Sequence, residues 1–301
     1  MPKLKIEPTA ATLGATVTGV SLVDLDEATW QAIHRAWLQH ALLIFPGQHL
    51  TNAQQIGFAR RFGAIERIGG GEIVAISNVL PDGSVRPHVP GQWDDMMKVI
   101  VGNMAWHADS TYMPVMAQGA VFSGEVVAAS GGETGFADMR AAYDALDDET
   151  RALVHQRSAH HSLVYSQSKL GHVPGAQSAY VGYGMDQTTA PLRPLVKTHP
   201  ETGRKSLLIG RHAHAIPGMA AAESEHFLED LVEWACQSPR VHSHHWSAGD
   251  VVLWDNRCLL HRAMPWDMAQ PRVMWHSRLA GHPVAEAAEA AEAAELAPER
   301  P

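Results

Sequence analysis

The run Trp106-His107-Ala108-Asp109 closes a strand-like stretch, KVIVGNMAWH. In an extended chain the side-chain period is two, so His107 and Asp109 point to the same side. An imidazole and a carboxylate so placed make two adjacent vertices of a metal site. A third ligand must come from elsewhere. His261 in WDNRCLLHRA, just beyond the strand-like VVLWDN, is the natural candidate. Two histidines and one carboxylate with open positions form the facial triad of non-haem Fe(II) oxygenases, in which the free positions take a co-substrate and O2. Spacing alone does not select His261 over His160, His161, His212 or His214. HAH at 212–214 and HSHH at 242–245 also repeat at strand spacing, but neither carries a partnered carboxylate. With 19 histidines in the chain, a two-letter pattern also arises by chance.

Arg272 opens the run RVMWHSRLAG, eleven residues after His261. If that run is a strand, Arg272, Met274, His276 and Arg278 share one face. Two arginines and a histidine facing inward are costly unless anions pair with them. The bland alternative is a solvent-exposed, solubilising face. Facing inward, the same residues would suit carboxylate-bearing ligands, because the guanidinium fork matches a carboxylate.

The elements that must position these groups are mostly short. KLKIEPTAATLGATVTGVSL alternates and reads as strands with turns. Trp30, Ile33, Ala36 and Trp37 recur at helical spacing over 27–39, and ALLIFPG reads as a buried strand. Thr51-x-x-Gln54 is a capping box that starts the next helix, and Gly63 is placed to end it. EIVAISNV, KVIVGNMAWH and AVFSGEVV read as β runs, 139–156 as a helix, 157–195 as a long loop and SLLIG as a strand. An amphipathic helix over 221–236 precedes two strands, GDVVLWDN and RVMWHSRLAG. Many short strands with few helices indicate a mainly β sandwich or barrel with peripheral helices.

Composition excludes several classes. The chain has 301 residues, 46% of them hydrophobic and 18% charged, which is globular rather than disordered. A net charge of −9 argues against a nucleic-acid binder. No apolar run approaches the ~20 residues of a membrane helix, and MPKLKIEPTAAT lacks a signal-peptide core. Two cysteines, Cys236 and Cys258, suit a reducing cytoplasm. There is no G-x-S-x-G elbow, and the GGG at 69–71 lacks nucleotide-binding spacing. The tail VAEAAEAAEAAELAPERP is low-complexity and helix-prone, and residues 284–301 are expected to form a solvated extension beyond a single domain, 1–283.

Three stretches together, WHADSTYMPVMAQGAVFSGEVVAASGGETGFADMRAAYDAL, PLVKTHPETGRKSLLIG and GDVVLWDNRCLLHRAMPWD with PRVMWHSRLAG, resemble the taurine dioxygenase / 2,4-dichlorophenoxyacetate dioxygenase family. The likeness runs from about Ile6 to Pro283, with the motifs in the family's order. Within it, ATLGATVTGV, LQHALLIFPGQHL, RFGAIERIGGG and GNMAWHADSTYMPVM resemble the (S)-selective phenoxypropionate, or aryloxyalkanoate, branch.

The resemblance implies a double-stranded β-helix, or jelly-roll, core and an Fe(II)- and 2-oxoglutarate-dependent oxidoreductase using O2, with ascorbate as reductant in vitro. It carries His107, Asp109 and His261 over as iron ligands. Thr134 and Trp254 become residues of the 2-oxoglutarate pocket, and Arg272 the partner of that acid's distal carboxylate. The family often places a second arginine four residues after this one. Here that position is His276, so Arg278 and Arg211 are the expected partners of the substrate carboxylate. The implied substrate is a small aryloxy acid of the dichlorprop, mecoprop or 2,4-D type, hydroxylated at the carbon next to the ether oxygen. Phenol and pyruvate or glyoxylate then leave, with succinate and CO2. A homo-oligomer is expected on the same ground. Two alternatives are an alkylsulfonate or alkylsulfate dioxygenase of the same family, and a non-catalytic metal-binding jelly roll.

Overall fold

The strand Val251–Asp255 is buried along its whole length, because both of its faces are covered. Val251 and Leu253 turn to one side, among Trp37, Leu43, Phe45 and Phe58. Val252 and Trp254 turn to the other, among Leu42, Ile44, Phe122 and Phe136. A strand covered on both faces has no need of polar alternation, which is why VVLWD reads as a continuous apolar run. The computed structural model describes residues 3–172 and 190–288.

This strand is the centre of a seven-stranded sheet ordered Lys5–Pro8, Ala15–Thr18, Leu42–Phe45, Val251–Asp255, Gly119–Val126, Val273–Leu279, Val74–Ser77. Its neighbours pair antiparallel, except that Ala15–Thr18 runs parallel to Leu42–Phe45. A second antiparallel sheet, Val241–His244, Thr134–Asp138 and Leu259–Ala263, packs through Phe136 and Leu259 onto the inner face of the first. The two sheets form the jelly-roll core. Helices Glu27–His40 and Asn52–Ala59 cover the outer face of the larger sheet. Helices Met139–Asp144 and Ala221–Ala235 cover the outer face of the smaller one. Thr51 and Gln54 cap the second helix reciprocally, at 3.3 and 2.8 Å.

Three local expectations are corrected. The first half of KVIVGNMAWH belongs to a helix, Asp95–Gly102. The run of Val99, Ile100 and Val101 favours a strand by propensity. Asp94 caps the Met97 amide at 2.8 Å, however, and Met97 and Ile100 bury one helical face against Trp266. The helix expected over 139–156 is two, Met139–Asp144 and Asp148–His155, because Asp147 caps a fresh start at the Thr150 amide. The long loop expected over 157–195 holds a strand, Ser158–His161, a short helix, Leu163–Ser168, and a strand, Leu192–Pro194. Residues 173–189 of that stretch lie outside the described residues.

The solvated extension expected from residue 284 also begins differently. Glu286 is only 1% exposed, and residues 285–288 hydrogen-bond to the body of the domain. The rest of that stretch, 289–301, lies outside the described residues.

Candidate active site

His107 and His261 are joined through their backbones. Each amide donates to the other's carbonyl, at 3.0 and 2.8 Å, in an isolated antiparallel bridge. The bridge brings the two rings to 4.2 Å between centroids. It does so without the strand expected through His107 and Asp109, since Asp109 already lies in a turn. Gly210 makes this close approach possible. Its φ is +120°, and a Cβ there would sit 3.0 Å from the Trp106 carbonyl and 3.3 Å from the His107 Cα.

Asp109 is fixed by Asn256, which sits at the corner between the strands of Trp254 and His261. The Asn256 side chain accepts from the Asp109 amide at 2.7 Å. It donates to the Asp109 and Ala117 carbonyls at 2.9 and 2.8 Å. The result is a cluster in which one donor atom each from His107, Asp109 and His261 lies within 4.8 Å of the others. All three side chains are buried.

The protonation states suit a cation. His107 Nδ1 lies 2.8 Å from the Ala105 carbonyl, which only accepts, so Nδ1 carries the proton and Nε2 keeps its lone pair. Burial pushes His107 well below its ordinary pKa and His261 down to about 4, so both rings are neutral near pH 7. Burial alone would raise the Asp109 carboxyl, but Arg278, His261 and His276 hold it well below the usual carboxylate range. Asp109 Oδ2 is buried without a hydrogen bond, with His276 Nε2 at 3.5 Å and His261 Nε2 at 3.8 Å. Two neutral imidazoles beside a carboxylate oxygen that lacks a donor fit a divalent metal.

A cavity of about 560 Å³ opens from this cluster. Every site residue singled out in the sequence lines it: Thr134, Trp254, Arg272, Arg211 and Arg278 as well as His107, Asp109 and His261. Arg272 is 5% exposed. It donates to the Gly132 carbonyl at 3.1 Å and lies over the Trp266 ring. Burial pushes its pKa down, and no carboxylate among the described residues forms an ion pair with it. Thr134 accepts from the Trp246 indole at 2.9 Å. Trp254 lies 4.7 Å from the His261 ring and stacks on His276.

The inward face of Val273–Leu279 is real, but its two ends differ. Arg278 is 3.2 Å from Asp109, 3.7 Å from Glu66 and 3.1 Å from the Ser110 hydroxyl. Two resident carboxylates therefore share its charge. Arg211 reaches the cavity over Gly102 and donates to Gln167 at 2.9 Å. The remaining wall is largely apolar, with Ile68, Val74, Ile76, Val99, Tyr112 and Leu163 among its residues. Four groups here were not foreseen: Glu66, Tyr112, His212 as a neighbour of His107, and Asn256. Asn256 stands two residues after Trp254, in WDN, which was its only signal. His212 stood among the candidate ligands in HAH, Tyr112 lies three residues after Asp109 without a signal of its own, and Glu66 comes from a distant segment and carries none.

Known proteins resemble this chain along most of its length. Residues 5–278 match the model of the taurine catabolism dioxygenase TauD, TfdA family. The chain belongs to that family of dioxygenases. It is 80% identical to an (S)-phenoxypropionate/alpha-ketoglutarate-dioxygenase of Delftia acidovorans, over 95% of this chain and 98% of the relative. It is 63% identical to the protein of the same description from Sphingobium herbicidovorans, over 95% and 98%. Among solved structures, AAD-2 in complex with Mn(II) and N-oxalylglycine superposes with a TM-score of 0.85 at 34% identity. That match covers 96% of this chain and all of the other.

Proposed function

We propose that this protein is an Fe(II)- and 2-oxoglutarate-dependent dioxygenase of (S)-2-aryloxypropionates and aryloxyacetates. The observation that carries the reading is one cavity holding both a neutral His–His–carboxylate cluster and, apart from it, a buried arginine with no acidic partner among the described residues. Such an arginine is costly unless an anion meets it. The keto-acid named in both relatives supplies one, and the relatives' other named substrate is an aryloxy acid.

In this reading His107, Asp109 and His261 hold Fe(II), which when bound supplies O2 activation coupled to oxidative decarboxylation of the co-substrate. Arg272 pairs with the distal carboxylate of 2-oxoglutarate and Thr134 and Trp254 wall its pocket. Arg211 meets the substrate carboxylate, assisted by Arg278, which also braces Asp109. The apolar wall takes the aryl ring, so the carbon next to the ether oxygen is presented to the metal. Hydroxylation there yields a hemiketal that releases a phenol and, from a propionate, pyruvate. One O2 and one 2-oxoglutarate are consumed, giving succinate and CO2. Two free cysteines, one buried and one partly so, accord with a cytoplasmic setting.

The test is succinate formation with Fe(II), ascorbate and 2-oxoglutarate, offered (S)-dichlorprop, (R)-dichlorprop or taurine. Strong turnover of the (S) acid over the other two is expected. Preference for taurine would move the protein to the alkylsulfonate branch, and no turnover with any of them would reject the reading.

A further inference from the structure

Glu286 stands in an Ala/Glu repeat that has little else to bury, yet its carboxylate is enclosed. Lys197 Nζ lies 2.9 Å from it and also donates to the Ala285 carbonyl at 2.9 Å. The Glu286 carbonyl accepts from the Met116 amide at 3.0 Å and from Arg193 Nη1 at 3.3 Å. The Ala288 amide donates to the Pro114 carbonyl at 2.9 Å. Residues 285–288 are thus laced to the turn that follows Asp109.

Arg193 is the link. It is 2% exposed, and its Nε and Nη2 donate to the Thr111 and Met113 carbonyls, each at 2.6 Å. Those carbonyls flank Tyr112 on either side. Tyr112 lines the cavity, sets its ring edge-on to His212 at 4.8 Å and hydrogen-bonds to Arg278. A guanidinium buried among neutral carbonyls carries a desolvation cost, and Glu286 is the acidic group whose field offsets it.

We propose that residues 284–288 brace the active-site wall from outside the cavity. Glu286, acting through Arg193 and Lys197, is a positioning residue that fixes the 111–116 turn and so the Tyr112 ring at the substrate end of the cavity. The docking is independent of which substrate is bound; its effect on aryloxy-acid affinity rests on the function proposed above.

Three variants of the full protein test this: a stop after Ala288, a stop after Pro283, and Glu286→Gln, which keeps the shape and removes the charge. Hydrogen exchange of the 107–118 segment reads the docking without any substrate. Calorimetry with (S)-dichlorprop reads the consequence, with Mn(II) and N-oxalylglycine holding the site in a non-reacting state. The stop after Ala288 is expected to match the wild type in both. Glu286→Gln and the stop after Pro283 are expected to speed exchange across 110–116 and to weaken dichlorprop binding about tenfold, with N-oxalylglycine affinity little changed.

Exchange unchanged in both variants would overturn the proposal. So would parallel loss of both affinities, which marks a general loss of structure; Glu286→Gln decides if the shorter chain does not fold. Wild-type protein that binds no aryloxy acid, while its variants show the exchange response, would overturn the substrate reading and support the docking.

Discussion

Arg272, just before the strand Val273–Leu279, and Arg278, within it, both line the cavity, yet their surroundings give them different work. Arg272 has no acidic partner among the described residues, whereas Arg278 already spans Asp109 and Glu66. Arg272→Ala is therefore expected to raise KM for 2-oxoglutarate by about 10- to 100-fold, the equivalent of one charge-assisted pair, with a far smaller change for the aryloxy acid. Arg211→Ala should do the reverse. Arg278→Ala should disturb both metal and substrate, because its guanidinium braces Asp109. Steady-state kinetics varying each substrate in turn separate the three, and equal shifts in both KM values for Arg272→Ala would reject its role. His107, Asp109 and Arg272 were legible as chemistry because residue type and spacing carry that information along the chain. Glu66 and Tyr112 were not, because what makes them part of the site is a fold-level meeting with Arg278 that local spacing does not encode.

The elements hold this geometry in two distinct ways. Leu253 is fully buried on the helix-facing side of its strand, away from the cavity. Asn256, just past the same strand, spends its whole amide on Asp109 and Ala117. Leu253→Ala is expected to cost about 2–5 kcal/mol of stability through the cavity it leaves, with Mn(II) affinity near normal. Asn256→Ala strands buried backbone groups at about 1–3 kcal/mol each and frees the Asp109 turn, so Mn(II) affinity should fall as well. Urea melts beside metal titrations check both; Asn256→Ala binding Mn(II) as the wild type does would contradict its role as a clamp. The strand VVLWD was readable because it is covered on both faces. Asp95–Gly102 was misread because the cap at Asp94 and burial against Trp266 outweigh a β-branched run. The chain around His107 reads as a strand but is held by a single bridge to His261, and pairing partners are a long-range property.

Across the whole molecule, two sheets and their covering helices bury several histidines in the neutral form. Burial lowers His107, His161 and His212 well below the ordinary value of 6.5 and takes His261 to about 4. In the unfolded chain the same rings protonate near 6.5. As pH falls through that value the unfolded state binds more protons than the folded one. The metal-free protein should therefore be most stable above pH 6.5 and lose stability toward pH 4, at about 1.4 kcal/mol per pH unit for each histidine that stays neutral. Urea midpoints across that range measure it, and a flat profile would contradict it. The mainly β architecture was legible because short apolar strands recur throughout the sequence. The docking of residues 285–288 was not, because an Ala/Glu repeat carries no sign that one of its carboxylates meets Lys197 and Arg193. In the proposed reaction one cavity couples oxidation of a keto acid to cleavage of an aryl ether. Phenol and succinate counted in the same reaction, with (S)-dichlorprop, Fe(II) and 2-oxoglutarate, measure that coupling. Equal amounts of the two, both lost in His107→Ala, are the predicted result; succinate without phenol, or phenol without consumption of 2-oxoglutarate, would contradict it.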